Sequence, residues 1–161
     1  MAYKYSNETY KIIRVAFEVY NTLGYGFKEE VYQEAMEREC VLQGIPFERQ
    51  KLINLYYKGV QMDKYYQADL LCYGKIIVEI KAVADIIGEH TGQLLNYLKA
   101  TGMEVGLVIN FGNPDGVQHE RKANFFGRMY DTTQFEATVN NHFNHVDNNG
   151  QHDLTDRTDE S

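Results

Sequence analysis

The sequence is constrained most by two consecutive apolar strands that each carry charged residues. The first strand is predicted from Tyr65 to Cys72 and the second from Lys75 to Ala82, with a tight turn at Tyr73-Gly74 between them. Charges in an otherwise apolar strand are costly to bury unless they are paired or bound to a metal. The pair of strands therefore predicts a sheet that holds a polar site in its core.

Three charged residues in these strands form the candidate site. Glu79 and Lys81 are two residues apart and therefore share one face of a strand, while cross-strand pairing can bring Asp69 next to Glu79. Two carboxylates supply oxygen ligands for Mg²⁺ or Mn²⁺, and a lysine can orient a water at phosphorus. The pattern favours phosphodiester hydrolysis. The alternative is a buried ion pair of Lys81 with Glu79 or Asp69, the commoner explanation of an isolated Glu-x-Lys pattern.

The remaining elements follow from apolar periodicity and from the glycines that end each helix. They are helices from Ser6 to Leu23, from about Lys28 to Gln43 and from about Glu89 to Ala100, strands from Phe47 to about Tyr57 and from Val105 to Phe111, and a further strand or short helix within residues 117–130. A strand, a helix and a strand in succession imply a parallel crossover. The order predicts an α/β fold.

The chain is expected to form one domain, residues 1–133, and a polar tail, residues 134–161. The tail is rich in Asn, His and Asp and has too little apolar area to offset the entropy of ordering. Its histidines, His142, His145 and His152, lack a spacing that would fix a metal. The net charge is -7, of which the segment from Asn141 onward contributes -4, leaving -3 for the rest. An acidic body argues against a broad phosphate-binding surface.

Neither cysteine chemistry nor a membrane span is indicated. Cys40 and Cys72 lack the spacing of a disulfide framework or a zinc site, so both are predicted to be small core residues. No apolar run approaches the roughly 20 residues that a membrane-spanning helix needs. The start of the chain lacks the apolar core of a secretory signal, and a cytoplasmic location is expected.

Five sequence blocks, in order, resemble the GxxExxY family of the PD-(D/E)xK nuclease superfamily. They are Gly26–Tyr32, Tyr66–Leu71, Val78–Ala82, His90–Lys99 and Gly106–Gly112. The resemblance extends from about Glu8 to Tyr130. It implies a restriction-endonuclease-like core, in which a central mixed β-sheet is flanked by helices.

The resemblance also implies roles for individual residues. Asp69, Glu79, Ile80 and Glu29 would contact the metal, Mg²⁺ or Mn²⁺, and Lys81 would serve the attacking water. The catalytic set is then Glu29, Asp69, Glu79 and Lys81. Glu29 lies in the first turn of a predicted helix, where the helix dipole favours an anion. Ordinary helix capping is the alternative explanation of an acid at that position.

The segment from Gln93 to Tyr97 is similar to the QxxxY motif of RecB-like exonucleases. His90, Gln93 and Tyr97 fall on one helix face, and Tyr32 shares a face with Glu29. These four residues are the predicted substrate contacts. Packing of Tyr97 and capping by Gln93 are an equally good explanation of that pair.

The function expected from these patterns is a metal-dependent phosphodiester hydrolase, a DNA nuclease with exonuclease-like action. Its partners would be nucleic acid, DNA in the first instance, and a second copy of the chain or a larger protein. The alternatives are a nucleic-acid-binding or regulatory module that cleaves little and an interaction protein with a buried ionic network. The candidates for phosphate contact are Lys64, Lys75, Lys99, Arg121, Lys122 and Arg128.

Overall fold

The computed structural model describes residues 4–124, which form three helices and five strands. The elements are α1 (Ser6–Leu23), α2 (Glu29–Gln43), β1 (Phe47–Tyr57), β2 (Val60–Cys72), β3 (Ile76–Lys81), α3 (Gly88–Thr101), β4 (Val105–Asn110) and β5 (Gln118–Ala123). All of them lie where the sequence predicts, although β2 starts five residues before the predicted Tyr65. Residues 118–123 form a strand rather than a short helix. Residues 125–130 and the predicted tail lie outside the described residues.

The turns that join β1 to β2 and β2 to β3 use residues with positive φ. Lys58 and Gly59 have φ of 50° and 77°, and Tyr73 and Gly74 have φ of 55° and 67°. Two consecutive residues with positive φ match the right-handed twist of antiparallel strands. The turns thus fold β1, β2 and β3 into a meander, in which the turn at Tyr73-Gly74 is the predicted one.

The five strands form one mixed sheet in the order β1-β2-β3-β4-β5. Only β3 and β4 are parallel, and α3 makes the crossover between them. Helices α1 and α2 pack on one face of the sheet around Tyr32 and Met36, while α3 packs on the other through Leu94 and Leu98. This arrangement confirms the expected central mixed sheet flanked by helices.

The interior strand β4 is buried along its whole length. Gly106 in this strand lies directly beneath α3, because a Cβ there would be 2.7 Å from the Cδ1 atom of Leu94. The glycine lets α3 approach the sheet closely. The same helix carries the predicted QxxxY residues, so its close packing fixes their height above the sheet.

The inside–outside alternation of β1 and β2 shifts by one residue at Gln50 and Asp69. In β2, Ala68 and Leu71 both face α3, although they are an odd number of positions apart, while Leu70 faces α1 and α2. In β1 the corresponding shift occurs at Gln50, which has φ of 47°. The pairing register is unchanged across this point, with Arg49 opposite Leu70 and Lys51 opposite Ala68, and it shifts only further along β1, between Asn54 and Tyr56. Both strands are therefore irregular at the same level, and Asp69 sits at that irregularity.

Both cysteines are buried with free thiols, in agreement with their predicted place in the core. Within residues 4–124, no helix is both long and apolar enough to cross a membrane.

Candidate active site

The candidate site lies at the end of the β2–β3 ladder. The ladder pairs Leu70 with Val78 and so stops one residue short of Asp69 and Glu79. Side chains continue it: the N–H of Ile80 donates to Oδ2 of Asp69 at 2.7 Å, and the N–H of Asp69 donates to the carboxylate of Glu79. Asp69 and Glu79 thus hold each other's strands through a reciprocal pair of hydrogen bonds.

Helix α2 fixes the backbone of Asp69 through Gln33. The side-chain amide of Gln33 donates to the carbonyl oxygen of Asp69 and to Oε2 of Glu37, both at 2.9 Å. Arg49 in turn donates to Oε1 of Glu37 at 2.7 Å. Gln33 is not among the site residues predicted from the sequence. The signal was available, since Gln33 is four residues after Glu29 and therefore on the same helix face.

Glu79 is a buried carboxyl group in an unfavourable environment. Burial raises the pKa of Glu79 to about 7, although Lys81 and the N–H of Asp69 oppose the rise. Its Oε1 atom is buried and accepts no hydrogen bond from the described residues. An unsatisfied buried carboxylate oxygen calls for explanation, and one explanation is a ligand absent from the structure.

The other two carboxyl groups interact with Glu79 and Lys81. Burial raises the pKa of Asp69, and the Ile80 N–H and Lys81 oppose the rise. The pKa of Glu29 is raised mainly by partial burial of its carboxyl group, against the influence of Lys81. Glu29 also accepts a hydrogen bond from the N–H of Ala82, which places it at the end of β3. The structure therefore brings Glu29, Asp69, Glu79 and Lys81 together.

A model of the PD-(D/E)XK nuclease superfamily matches residues 6–122 of this sequence. The matched range contains all four residues that the structure brings together. The chain belongs to the PD-(D/E)XK nuclease superfamily. This membership confirms the prediction at the superfamily level.

Three solved structures have a similar fold to this PD-(D/E)XK chain, each with a TM-score of 0.45. A crystal structure of the protein SSO0001 shares 19% identity and covers 84% of this chain and 66% of its own. LHK-Exo in complex with dAMP shares 16% identity and covers 71% of this chain and 64% of its own. An alkaline exonuclease, LHK-Exo from Laribacter hongkongensis, shares 15% identity, and the match covers 89% of this chain and 81% of the exonuclease. This chain thus spans slightly less than two thirds of the first two. No curated protein matches it.

PD-(D/E)XK nucleases generally use divalent metal ions, so the residues can be tested for their fit to one. Within residues 4–124, no group of three or more His, Cys, Asp or Glu side chains is arranged to hold a metal. Mg²⁺, however, is commonly bound by one or two carboxylates together with waters and substrate phosphate. Asp69 and Glu79 supply such a pair, and the unsatisfied Oε1 of Glu79 is a ready ligand atom. The residues therefore fit a hard cation that completes its coordination with water and substrate.

Tyr32 of the PD-(D/E)XK domain is a core residue in this structure. Its ring has 0% exposure and stacks on Phe111 at 4.7 Å between centroids. Its hydroxyl donates to the carbonyl of Gly24 at 2.6 Å and accepts from the N–H of Phe27 at 3.3 Å. The ring is packed in the core and the hydroxyl is bonded to the turn between α1 and α2. Tyr32 therefore exposes no atom that could make the predicted contact with a substrate.

The three residues predicted on α3 occupy different environments. His90 accepts a hydrogen bond through Nδ1 from the N–H of Ile87 at 3.1 Å, which caps the start of the helix. Gln93 is exposed, and its amide lies 3.4 Å from the hydroxyl of Tyr97. The Tyr97 ring stacks on Tyr66 at 3.5 Å between centroids. Gln93 is thus the most exposed of the three, while His90 and Tyr97 are each half-buried.

The segment after Lys81 is held in place by Asn110 and Gly112. The Asn110 side chain is fully buried and bonds both the N–H and the carbonyl of Val83, at 2.9 and 2.8 Å. A Cβ on Gly112 would lie 2.3 Å from the carbonyl oxygen of Val83. Asn110, the last residue of β4, and Gly112 therefore both hold the chain that leaves the site close to the end of β4.

Several of the predicted phosphate-contact residues are engaged within the protein. Lys75 pairs with Glu8 at 3.1 Å, Arg121 donates to the carbonyl of Lys4 at 2.5 Å, and Lys122 lies 3.7 Å from Glu120. Lys64 and Lys99 are exposed, and Arg128 lies outside the described residues. The exposed cations lie on β2 and α3 rather than in one patch.

Proposed function

We propose that this PD-(D/E)XK chain is a metal-dependent phosphodiester hydrolase that acts on DNA in an exonuclease-like manner and belongs to the GxxExxY family. The observation that carries the proposal is the reciprocal bonding of Asp69 and Glu79 beside Lys81. A buried carboxylate oxygen without a hydrogen-bond partner, such as Oε1 of Glu79, does not stabilise a fold. A site that binds a cation, in contrast, needs such an oxygen as a ligand.

The proposed roles follow from the position of each group. Asp69 and Glu79 would hold Mg²⁺ or Mn²⁺, with Ile80 as a further contact and Glu29 as a carboxylate at the rim. The metal, when bound, would supply charge that offsets the negative phosphate and lowers the pKa of a bound water. Lys81 would orient the attacking water and stabilise the charge that develops on the phosphoryl oxygens.

Gln93 and Tyr97 would contact the substrate from α3, as the QxxxY resemblance implies. Gln93 is exposed and offers an amide with both a donor and an acceptor. Tyr97 is held by its stacking on Tyr66, which leaves its hydroxyl near Gln93. His90 would support this pair indirectly through its contact with the N–H of Ile87.

A second candidate is a nucleic-acid-binding or regulatory module that retains the fold but cleaves little. It is favoured by the lack of a three-residue metal-ligand group within residues 4–124 and by the net charge of -7. The chain is also small, which leaves little area to grip a substrate. In either case we propose that it acts as a homodimer or with a larger protein.

The test is incubation of the protein with labelled single- and double-stranded DNA and RNA, with Mg²⁺ or Mn²⁺ and with chelator. Glu79→Gln and Lys81→Ala should each remove most cleavage, by at least about 100-fold, because metal binding and electrostatic stabilisation are lost. Two matched controls lie on the exposed side of α1. Glu18→Gln and Lys11→Ala make the same kinds of change there and should leave the rate unaltered.

The outcome separates the two candidates. Calorimetry with Mn²⁺ should show weaker metal binding in Glu79→Gln and nearly unchanged binding in Lys81→Ala. A wild-type protein that binds DNA but yields no metal-dependent product on any of these substrates would favour the binding module. Binding of neither metal nor nucleic acid would leave the buried ionic network as the explanation.

A further inference from the structure

The turn between α1 and α2 exposes two aromatic rings within three residues. Tyr25 and Phe27 are 57% and 48% exposed. Neighbouring positions add an exposed Lys28 and a Val31 that is 39% exposed. Large apolar side chains grouped on a surface commonly mark a place where something binds.

Hydrogen bonds and a ring contact hold the turn against the core of the protein. The N–H of Gly24 donates to the carbonyl of Tyr20 at 2.7 Å, and the Tyr32 hydroxyl bridges Gly24 and Phe27. The Phe27 ring packs edge-on against Tyr32, with centroids 6.1 Å apart and planes at 77°. Since Tyr32 itself stacks on Phe111, Phe27 is positioned by the core of the protein.

The turn also borders the candidate active site. Phe27 precedes Glu29 by two residues, and Glu29 bonds the N–H of Ala82 and interacts with Lys81. A ligand that reached Lys81 and Glu29 from solvent would therefore pass close to the turn. Tyr32, a predicted substrate contact, instead holds the turn from the side of the core.

The charges around Glu29 favour binding of a nucleic acid by base stacking over binding by ion pairs with its phosphates. The ionised groups that interact with Glu29 are one cation, Lys81, and two acids, Asp69 and Glu30. Nucleic-acid affinity that comes from phosphate neutralisation needs clustered cations. Stacking of a base on an aromatic ring does not depend on charge and contributes to the binding of single strands of any sequence.

We propose that Tyr25 and Phe27 form a stacking platform for an unpaired nucleobase next to the phosphodiester at the site, with Lys28 facing the adjoining phosphate. The inference rests on the proposed function and narrows it to single-stranded nucleic acid or a frayed duplex end. A paired base inside a duplex cannot offer its face to a ring. Binding to a blunt duplex should therefore be weak.

The test measures binding separately from cleavage. Fluorescence anisotropy in chelator is recorded with a labelled oligothymidine of about 15 nucleotides and with a blunt hairpin duplex. Phe27→Leu keeps an apolar side chain against Tyr32 but removes the aromatic ring. It should weaken oligothymidine binding by about 5- to 100-fold, and Phe27→Trp should restore it. Tyr25→Ala should have an effect of the same kind. Tyr10→Ala removes a ring that is 62% exposed on α1 and should change nothing.

The salt dependence of oligothymidine binding distinguishes the contribution of the Phe27 ring from that of Lys28. Phe27→Leu should lower affinity by the same factor at every salt concentration. Lys28→Ala should reduce the slope of log K against log salt by about 0.7, the value for one phosphate contact on a single strand. Equal affinity of the wild type for the blunt duplex and oligothymidine would overturn the platform, as would equal oligothymidine binding by Phe27→Leu and wild type.

Failure of the platform and failure of the proposed function give different results. Metal-dependent cleavage with unaltered oligothymidine binding in Phe27→Leu and Tyr25→Ala would overturn the platform and leave the nuclease. Aromatic-dependent binding without any cleavage would leave the platform and overturn the nuclease. Sedimentation should give the same mass for wild type and Phe27→Leu. Dissociation of a wild-type dimer by this substitution, with nucleic-acid affinity unchanged, would show that the rings contact a second copy instead.

Discussion

The side-chain amide of Gln33 donates a 2.9 Å hydrogen bond to the backbone carbonyl of Asp69, across the interface between α2 and the sheet. Asp69 lies where the strand alternation shifts, beyond the end of the β2–β3 ladder. Its position therefore depends on side-chain contacts from two directions. Helix α2 supplies one and Glu79 the other. This arrangement makes the geometry of the candidate site sensitive to residues outside the four that form it.

Gln33→Leu should move Asp69 without removing its carboxylate. The carbonyl of Asp69 and the carboxylate of Glu37 would each lose a donor, and we expect the free energy of unfolding in urea to fall by about 1–3 kcal/mol. Mn²⁺ affinity should fall as well. Gln43→Leu is the matched control, since Gln43 bonds Glu39 at the exposed end of the same helix. Equal Mn²⁺ binding by Gln33→Leu and wild type would show that Asp69 holds its position without this contact.

The ionisation of Glu79 should make stability depend on pH in protein stripped of divalent cations. A carboxyl group whose pKa is raised by folding binds its proton more tightly in the folded state. The free energy of unfolding therefore falls as pH rises from about 4.5 to about 7. The difference between these two values corresponds to roughly 3 kcal/mol. Urea unfolding should show Glu79→Gln gaining stability over wild type across this range.

Two comparisons test the origin of that pH effect. Glu18→Gln, on the exposed side of α1, should follow the wild-type profile. Added Mg²⁺ or Mn²⁺ should raise wild-type stability at pH 8 more than it raises that of Glu79→Gln, because a cation bound to the folded state favours the ionised carboxylate. Parallel profiles for wild type and Glu79→Gln would mean that water reaches Glu79 and removes the cost of its charge.

Gly112→Ala should disrupt the segment that follows β3. The added methyl group would lie 2.3 Å from the carbonyl oxygen and 2.5 Å from the nitrogen of Val83, and backbone atoms cannot move aside as a flexible side chain can. We expect a loss of at least about 2 kcal/mol in the free energy of unfolding. Hydrogen exchange at the amide of Val83 should accelerate. Gly92→Ala, in α3 with open space around its Cα, should be neutral or stabilising.

The domain boundary proposed near Thr133 predicts the effect of truncation. The last described residue, Asn124, bonds the carbonyls of Leu98 and Met103 and so ties the end of β5 to α3. Removing residues 134–161 takes away a segment too polar to contribute much apolar burial. The thermal midpoint should change little. A drop of several degrees would place the boundary further along the chain.

The helices and strands could be predicted because apolar periodicity and glycine stops determine them locally. Helix α1 follows its predicted bounds from Ser6 to Leu23, and β1 begins at Phe47 as expected. The early part of β2 could not be predicted this way. Residues 60–65 are exposed on both sides, so their strand structure comes from pairing with β1 rather than from an apolar pattern.

The residues of the candidate site could be predicted from the sequence, but the hydrogen bonds between them could not. Alternation on β3 indicated that Glu79 and Lys81 share a face, and an acid in an apolar strand singled out Asp69. Cross-strand pairing was the assumed link between Asp69 and Glu79. In the structure, the carboxylate of Asp69 bonds a backbone N–H of β3 and the carboxylate of Glu79 bonds a backbone N–H of β2. Such contacts form only where the backbone ladder between the two strands stops. That point is a tertiary property, as is the burial of Tyr32 beneath the turn.

The coincident shifts at Gln50 and Asp69 matter for anyone who wishes to transplant this site into another scaffold. A designer who copied only the spacing of Asp69, Glu79 and Lys81 onto a regular hairpin would obtain an ordinary ladder, with the N–H of Asp69 already used by its neighbour. The graft would need the irregularity of both strands, and a glutamine from an overlying helix to hold it. The portable unit is therefore a three-element assembly rather than a sequence motif.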